Sequence, residues 1–189
     1  MFLRKIAPGI ELRLFDLHDA EPIFAAVEGN RSYLREWLPW VDHTHSPAEV
    51  RDFITKVRLQ FENNQGPQCG IWIDGALAGC LGCHPIDHAN RTCSIGYWIE
   101  KARAGQGIIT RCCAFMLDYL FTELGLHRVV IQCGTANLKS CAIPQRLGFT
   151  REGIARQAEW VNDRWVDLVV WGILEEEWRH HSFRRQPTA

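Results

Sequence analysis

The feature that most constrains this chain is a strand, a glycine-rich loop, a long helix and a second strand in direct succession. Residues 91–99 read as a strand, Arg103-Ala-Gly-Gln-Gly107 as the loop, Ile108 to about Leu124 as the helix, and Arg128-Val-Val-Ile-Gln-Cys-Gly-Thr135 as the returning strand. The helix carries an apolar stripe at Ile109, Cys112, Cys113, Met116, Leu120 and Leu124, spaced to face one core. A strand that returns to the same sheet after a helix runs parallel to the first, in a right-handed crossover. The chain is therefore expected to be α/β, with these two strands parallel within its sheet.

The remaining segments add antiparallel neighbours. Ile10-Glu-Leu-Arg-Leu14 alternates apolar and polar residues, as a half-buried first strand does. Asp19 is placed to cap a helix over residues 21–28, with Pro22 in its first turn. Arg31 to Trp40 reads as a short aromatic-rich helical segment ending at Pro39. Ser46-Pro47-Ala-Glu49 starts another helix, and Val50, Phe53, Ile54, Val57 and Phe61 form its apolar stripe. Residues 69–73, 76–86 and 91–99 read as a meander of three strands, with turns at Asp74-Gly75 and near 87–90. A short helix is expected near Ser140 to Leu147. Two strands follow around an Asn162-Asp163 turn, one from Phe149 to Val161, bent or bulged at Gly153, and one from Arg164 to Leu174. With 189 residues and no internal linker, the chain is expected to form one domain over residues 1–178, followed by a basic, disordered tail over 179–189.

Charge and composition narrow the partners. The formal net charge of −1 supplies no general attraction toward nucleic acid or an anionic membrane. No run approaches the ~20 apolar residues of a membrane span, and the N-terminus has no apolar stretch of signal-peptide length. The expectation is a cytoplasmic protein with neither nucleic acid nor membrane as partner. Of the eight cysteines, Cys112 and Cys113 are adjacent and Cys69, Cys93, Cys133 and Cys141 stand alone in apolar surroundings, as small buried hydrophobes do in a reducing compartment. Cys80-Leu-Gly-Cys83-His84 matches the spacing of covalent haem attachment. Positions three apart in a strand point to opposite faces, however, so the two sulfurs diverge. A zinc site using His84 and His88 is set aside as well, and neither metal nor haem is expected.

The loop carries the chemistry. Gly105 and Gly107 let backbone N–H groups turn toward a ligand with no Cβ in the way. The first turn of the following helix adds unpaired N–H groups and positive dipole character, which together suit a pyrophosphate. Two commoner phosphate loops do not fit, because no Gly-Lys-Ser/Thr follows and no third glycine completes a dinucleotide fingerprint. Five blocks follow in order: Ile95-Gly-Tyr-Trp-Ile99, Gly105-Gln-Gly-Ile-Ile-Thr110, Asn137-x-x-Ser140, Leu147-Gly-Phe149 and Glu152-Gly153. This pattern resembles the GNAT acetyltransferases, and within them the RimJ/RimL-like ribosomal-protein N-acetyltransferase branch, nearest its serine-specific type. The resemblance spans nearly the whole chain and is strongest over residues 94–174.

The resemblance implies a single GNAT-like α/β (α+β) domain with a mixed central sheet, splayed parallel middle strands and helices on both faces. It implies acetyl-coenzyme A as cosubstrate. The pantetheine arm would lie against the backbone of Tyr97, Trp98 and Ile99, and the thioester oxygen against an N–H near Trp98 or Ile99. The pyrophosphate would sit on Gly105, Gln106, Gly107, Ile108, Ile109 and Thr110, with Asn137 and Ser140 beside the pantetheine. Two departures stand out. Ala104 replaces the basic or amide residue that usually opens the loop, leaving Arg103 or Arg111 to compensate. Pro144 occupies the place of the tyrosine that many members use as the acid for the departing thiolate.

Acetyl transfer needs a neutral amine, a polarised carbonyl and a proton for the thiolate. Glu159 falls where the serine-specific enzymes carry their catalytic glutamate and is the expected base; the alternative is a solvent-facing charge on a strand. Ser140 is the expected acid; the alternative is a helix cap bonded to its own backbone. Neutralising an N-terminal amine at pH 7 takes about 1 kcal/mol, against roughly 4–5 kcal/mol for a lysine, so a carboxylate base suffices for an N-terminus. Trp37, Trp40, Asp42, His43 and His45 fall in the region that lines the acceptor groove in this family; the aromatic pair reads more readily as core than as substrate wall, and the histidines as surface residues. The expected acceptor is a protein N-terminal amine. A polyamine, aminoglycoside or other small amine is a second reading, and a non-catalytic acetyl-coenzyme A-binding module a third. The resemblance leaves a homodimer open.

Overall fold

The computed structural model describes residues 3–185. Among these described residues eight strands form one mixed sheet: β1 (Leu3–Ala7), β2 (Ile10–Leu14), β3 (Gln68–Ile73), β4 (Ala76–Cys83), β5 (Thr92–Ile99), β6 (Arg128–Gly134), β7 (Thr150–Val161) and β8 (Arg164–Leu174). Their order is β1-β2-β3-β4-β5-β6-β8-β7. The first five pair antiparallel, β5 and β6 pair parallel, and β8 pairs antiparallel with both β6 and β7. The crossover expected from the strand–loop–helix–strand succession is thus the hinge of the sheet. β1 lies beyond the sequence expectation; Pro8-Gly9, with Gly9 at φ 72°, turns it back onto β2.

Six α-helices, again among the described residues, cover both faces: α1 (Ala20–Gly29), α2 (Arg31–Leu34), α3 (Pro47–Glu62), α4 (Ile108–Asp118), α5 (Leu138–Arg146) and α6 (Glu175–His180). On one face α4 packs its stripe, with Cys112, Cys113, Met116, Leu117 and Leu120, against Leu81, Ile95, Ile131 and Ile173 of the sheet. On the other, Ile23 and Val27 of α1 and Val50 and Ile54 of α3 pack against Trp72, Leu77 and Cys80. The start of α3 is fixed as its sequence suggests: Ser46 accepts from the Glu49 N–H, and the Glu49 carboxylate accepts from the Ser46 N–H at 3.1 Å.

The parallel pairing is short. Thr92, Cys93 and Ser94 stand beside Arg128, Val129 and Val130, and beyond these the pairing ends. Residues 95–99 remain paired to β4, while residues 131–134 remain paired to β8. Each strand is held on its outer side, so the two splay apart and leave a split at the carboxyl end of the parallel pair.

Several local expectations need correction. Asp19 stands before α1, but its carboxylate makes no cap bond. It takes two bonds from Arg13 (2.9 and 3.0 Å) and one from the Asp16 N–H (2.8 Å), while the Arg13 guanidinium stacks 3.6 Å from the Trp72 ring centre. A buried carboxylate is better served by a guanidinium fork than by a single cap bond. The long helix leaves α-geometry after Asp118 and ends in a π-turn over Tyr119–Glu123. The β7 bulge at Gly153 is joined by a second register shift between Ala155 and Glu159.

Ordered chain also continues past residue 178, against the expectation of a disordered tail from 179. Trp178 is buried and donates to Asp118 Oδ1 (2.8 Å), His181 stacks on it at 5.5 Å, and Phe183 packs against the main core. Aromatic anchors outweigh the basic composition there; residues 186–189 of the expected tail lie outside the described residues. Cys80 and Cys83 belong to different cores on opposite faces of the sheet. Among the described residues no group of three or more His, Cys, Asp or Glu is placed to hold a metal ion, and no helix is long and apolar enough to cross a membrane.

Candidate active site

A cleft of about 920 Å³ passes through the split. At one end it is walled by Tyr33, Leu34, Trp37 and Leu38, in the middle by Tyr97, Trp98, Ile99, Asn137 and Ser140, and beyond them by the loop and first turn of α4.

The geometry of β5 follows from its pairing. The Ser94 C=O accepts from the His84 N–H (2.9 Å) and the Glu100 N–H donates to the Ala78 C=O (2.8 Å). Register between these points is unbroken, so the even-numbered residues bond to β4 and the odd-numbered ones turn their N–H and C=O the other way. Tyr97 and Ile99 therefore present free main-chain groups to the split. Trp98, expected to share this role, has its main chain engaged by β4, and its ring packs on the second core and lies 6.2 Å from that of Trp40.

The glycine loop has the expected form. Gly105 and Gly107 adopt φ 80° and 73°, a region that strains a residue carrying a Cβ. A Cβ built at either position meets no protein atom within 4 Å, and both line the cleft. Gly107 is also the N-cap of α4, which has no side-chain cap, whereas α3 is capped by Ser46 and α5 by Asn137. The first N–H groups of α4, at Ile108, Ile109 and Thr110, are left facing the cleft with positive dipole character. Arg103 and Arg111 line the cleft on either side of the loop, and Arg111 also donates to the Gln106 C=O (3.3 Å). Gln106 does not join them: its side-chain amide donates to the Ala102 C=O (3.2 Å) and it is absent from the lining.

Asn137 caps α5 by accepting from the Ser140 N–H (3.1 Å), so Ser140 is not the cap and its hydroxyl is spared. Ser140 Oγ instead lies 3.2 Å from Tyr97 Oη and 3.2 Å from Cys133 Sγ. The Tyr97 hydroxyl donates to the Ser140 C=O (3.2 Å). Burial, with the neighbouring Cys133 and Cys113 adding to it, holds the Tyr97 phenol well above its usual range, and burial pushes the Cys133 thiol up to about 11. Both stay protonated at neutral pH.

Glu159 is half-buried and outside the cleft lining, and among the described residues it has no hydrogen-bond or ion-pair partner. Burial raises its carboxyl above the usual value. It stands opposite Val166 across β7 and β8, and cross-strand partners share a face. Val166 and Trp37 meet over Gly134, where an added Cβ would lie 3.3 Å from Val166 and 2.9 Å from Trp37. Glu159 is thus on the Trp37 side of the sheet, while Ser140 and Tyr97 are on the α4–α5 side. Of the N-terminal residues expected at the acceptor groove, Trp37 lines it; Trp40, Asp42, His43 and His45 do not, and Asp42 is paired with Arg35 (2.8 Å).

Sequence reading did not find Lys139, Arg146 or Phe183, which line the far end of the cleft. Arg146 donates to Thr110 Oγ1 (3.1 Å). A lone basic residue at a helix end and an aromatic in a basic tail carry no local signal of such a role.

A split between parallel strands, an uncapped helix behind a glycine loop and a serine at the split define an acyl-carrier-dependent transferase. The profile of the acetyltransferase (GNAT) domain matches residues 10–150, and the chain belongs to that family. It is a GNAT-family N-acetyltransferase. The putative ribosomal N-acetyltransferase YdaF of Bacillus subtilis (strain 168) is 38% identical over 179 residues, which cover 94% of this chain and 98% of the relative. A crystal structure described as a probable acetyltransferase superposes with a TM-score of 0.90 at 38% identity, covering 94% of this chain and 99% of the other. RimL, the ribosomal L7/L12 alpha-N-protein acetyltransferase, solved in complex with coenzyme A, gives 0.88 at 25% identity, covering 92% and 98%.

Proposed function

We propose that this protein transfers an acetyl group from acetyl-coenzyme A to the N-terminal amine of a protein, the kind of acceptor that the name of RimL, an alpha-N-protein acetyltransferase, gives for that relative. The observation that carries the reading is a spared hydroxyl lining the split together with a half-buried carboxylate, unpaired among the described residues, on the other face of the sheet. Acetyl-coenzyme A supplies an activated acyl thioester when bound. Gly105, Gly107 and the first N–H groups of α4 hold its pyrophosphate, with Arg103 and Arg111 adding charge. The main chain of Tyr97 and Ile99 binds the pantetheine arm, and the nearest N–H of the pair polarises the thioester oxygen. Asn137 keeps its amide N–H groups for the same arm, because its oxygen is used on α5.

Glu159 removes a proton from the acceptor's ammonium group, through water where the distance requires it, and the neutral amine so formed attacks the thioester carbonyl. Its raised affinity for protons moves it toward the pKa of an N-terminal amine, which makes it a better base than an exposed glutamate. As the C–S bond breaks, Ser140 gives its hydroxyl proton to the departing sulfur and regains a proton from the one the new amide nitrogen sheds, so the serine ends the cycle neutral. The acceptor end of the cleft is aromatic and aliphatic at Tyr33, Leu34, Trp37 and Leu38. A polycation would favour a row of carboxylates there, whereas a short peptide segment suits an apolar wall. A thiol-release assay comparing peptides with free N-terminal serine or alanine, spermidine and an aminoglycoside tests this. Turnover should be fastest on a peptide and abolished by N-terminal blocking; preference for spermidine would overturn the acceptor assignment.

A further inference from the structure

We infer that Tyr97 is a positioning residue for Ser140, and that Pro144 is what opens the place it occupies. In an α-helix the N–H of residue 144 would donate to the C=O of residue 140. Pro144 lies inside α5 and has no N–H, so the Ser140 carbonyl loses its intrahelical partner. The Tyr97 hydroxyl, from β5 on the other side of the cleft, donates to that carbonyl at 3.2 Å. Its own proton being so used, the phenolic oxygen is left to accept, and Ser140 Oγ lies 3.2 Å from it.

One phenol thus binds both polar groups of Ser140. It ties the first turn of α5 to β5 across the split and points the serine hydroxyl along the cleft wall. The main-chain bond is strut-like, while the side-chain bond decides where the acid's proton sits before transfer. Both bonds are part-buried at the cleft wall, where a hydrogen bond is stronger than in open water. Proline at 144, which removes an acid that many relatives place there, is compensated by a tyrosine 47 positions upstream that controls a different hydroxyl. The catalytic half of this inference rests on the assignment of Ser140 as acid; the coupling of Tyr97 to Pro144 does not.

The test uses wild-type protein, Tyr97→Phe, Pro144→Ala, the double variant and Ser140→Ala. Each is assayed for kcat and KM on a serine peptide, for coenzyme A affinity by calorimetry and for thermal midpoint. Tyr97→Phe should lower kcat roughly tenfold, the rate equivalent of about one hydrogen bond, with coenzyme A affinity unchanged, and should lower the midpoint. In the double variant the N–H restored at position 144 can bond the Ser140 carbonyl, so the midpoint should recover beyond the sum of the single effects. kcat should stay low, because Oγ still lacks its phenolic partner. Full recovery of kcat in the double variant would make Tyr97 a backbone strut alone, and wild-type kcat in Tyr97→Phe would remove it from the mechanism. Additive midpoints would overturn the coupling to Pro144. Normal turnover by Ser140→Ala would refute the acid role and the catalytic half of the inference, while the midpoints still decide the coupling.

Discussion

Glu159 faces Val166 across the β7–β8 hairpin, and Val166 lies under Trp37. Pairing and shared proximity to Gly134 thus relate the sheet's far edge to the Trp37 side of the cleft, and Glu159 has no cationic partner among the described residues. Glu159→Gln should lower the rate by about 10²–10⁴-fold at pH 7, the usual span for losing a general base. With an N-terminal acceptor the deficit should shrink between about pH 7 and pH 9, as the amine of pKa near 8 deprotonates by itself.

The same substitution has an effect on stability of opposite sign. Burial raises the folded-state pKa of Glu159 above its ordinary value of 4.5, so the group favours the fold below that value and loses this contribution as pH rises through the folded pKa. Glutamine carries no such dependence. The melting temperature of Glu159→Gln should therefore rise relative to that of wild type between pH 4 and pH 7. A scan showing the variant losing ground as pH rises would contradict the burial argument.

Gly107 is constrained by backbone angle, since a Cβ there meets no protein atom. Gly107→Ala should lower stability by about 1–2 kcal/mol from its left-handed conformation. Gly107→Val should add the intrusion of a branched side chain into the pyrophosphate site and abolish coenzyme A binding while the chain still folds. Calorimetry and circular dichroism on the two variants separate strain from obstruction.

Arg13 and Asp19 form an unequal pair, because the Arg13 side chain is 26% exposed and Asp19 only 1%. Arg13→Ala leaves a buried carboxylate with the Asp16 N–H and the exposed His18 ring, 3.5 Å away, in place of a guanidinium fork; Asp19→Ala leaves a guanidinium that still reaches water and the Trp72 face. Removing one partner of a buried pair costs about 3–5 kcal/mol, and the Arg13 variant should lie at the upper end and the Asp19 variant at or below the lower. Urea titration of both checks the order.

Phe183 should act on the nucleotide half of the cosubstrate, because it lines the cleft beyond the α4 loop, near Arg146 and Ile143. Phe183→Ala should raise the KM for acetyl-coenzyme A by roughly fivefold to tenfold, as loss of an apolar contact of about 1 kcal/mol does. Acetyl-phosphopantetheine, which lacks the nucleotide, should show no difference between the two proteins. An equal loss with both donors would mean that Phe183 acts through the core.

What the sequence determined by itself is what local rules govern. Period-2 and period-3.6 patterns set the meander and the helices, glycine placement set the loop angles, and a helix between two strands set the parallel crossover. Those rules act within a few residues, so Ser46 and Glu49 could be recognised as a cap from their spacing. The tertiary structure decided everything that depends on what meets across the fold. Asp19 had the chemistry of a cap, yet Arg13 on a neighbouring strand claimed it. The tail had the composition of disorder, yet Trp178 found Asp118, 60 residues earlier, and docked. Pro144 could be read only as a missing acid, because the carbonyl it frees is filled by a phenol 43 residues from Ser140. Hydrogen-bond supply and burial are properties of neighbours in space, and long-range pairing sets them after the local pattern has done its part.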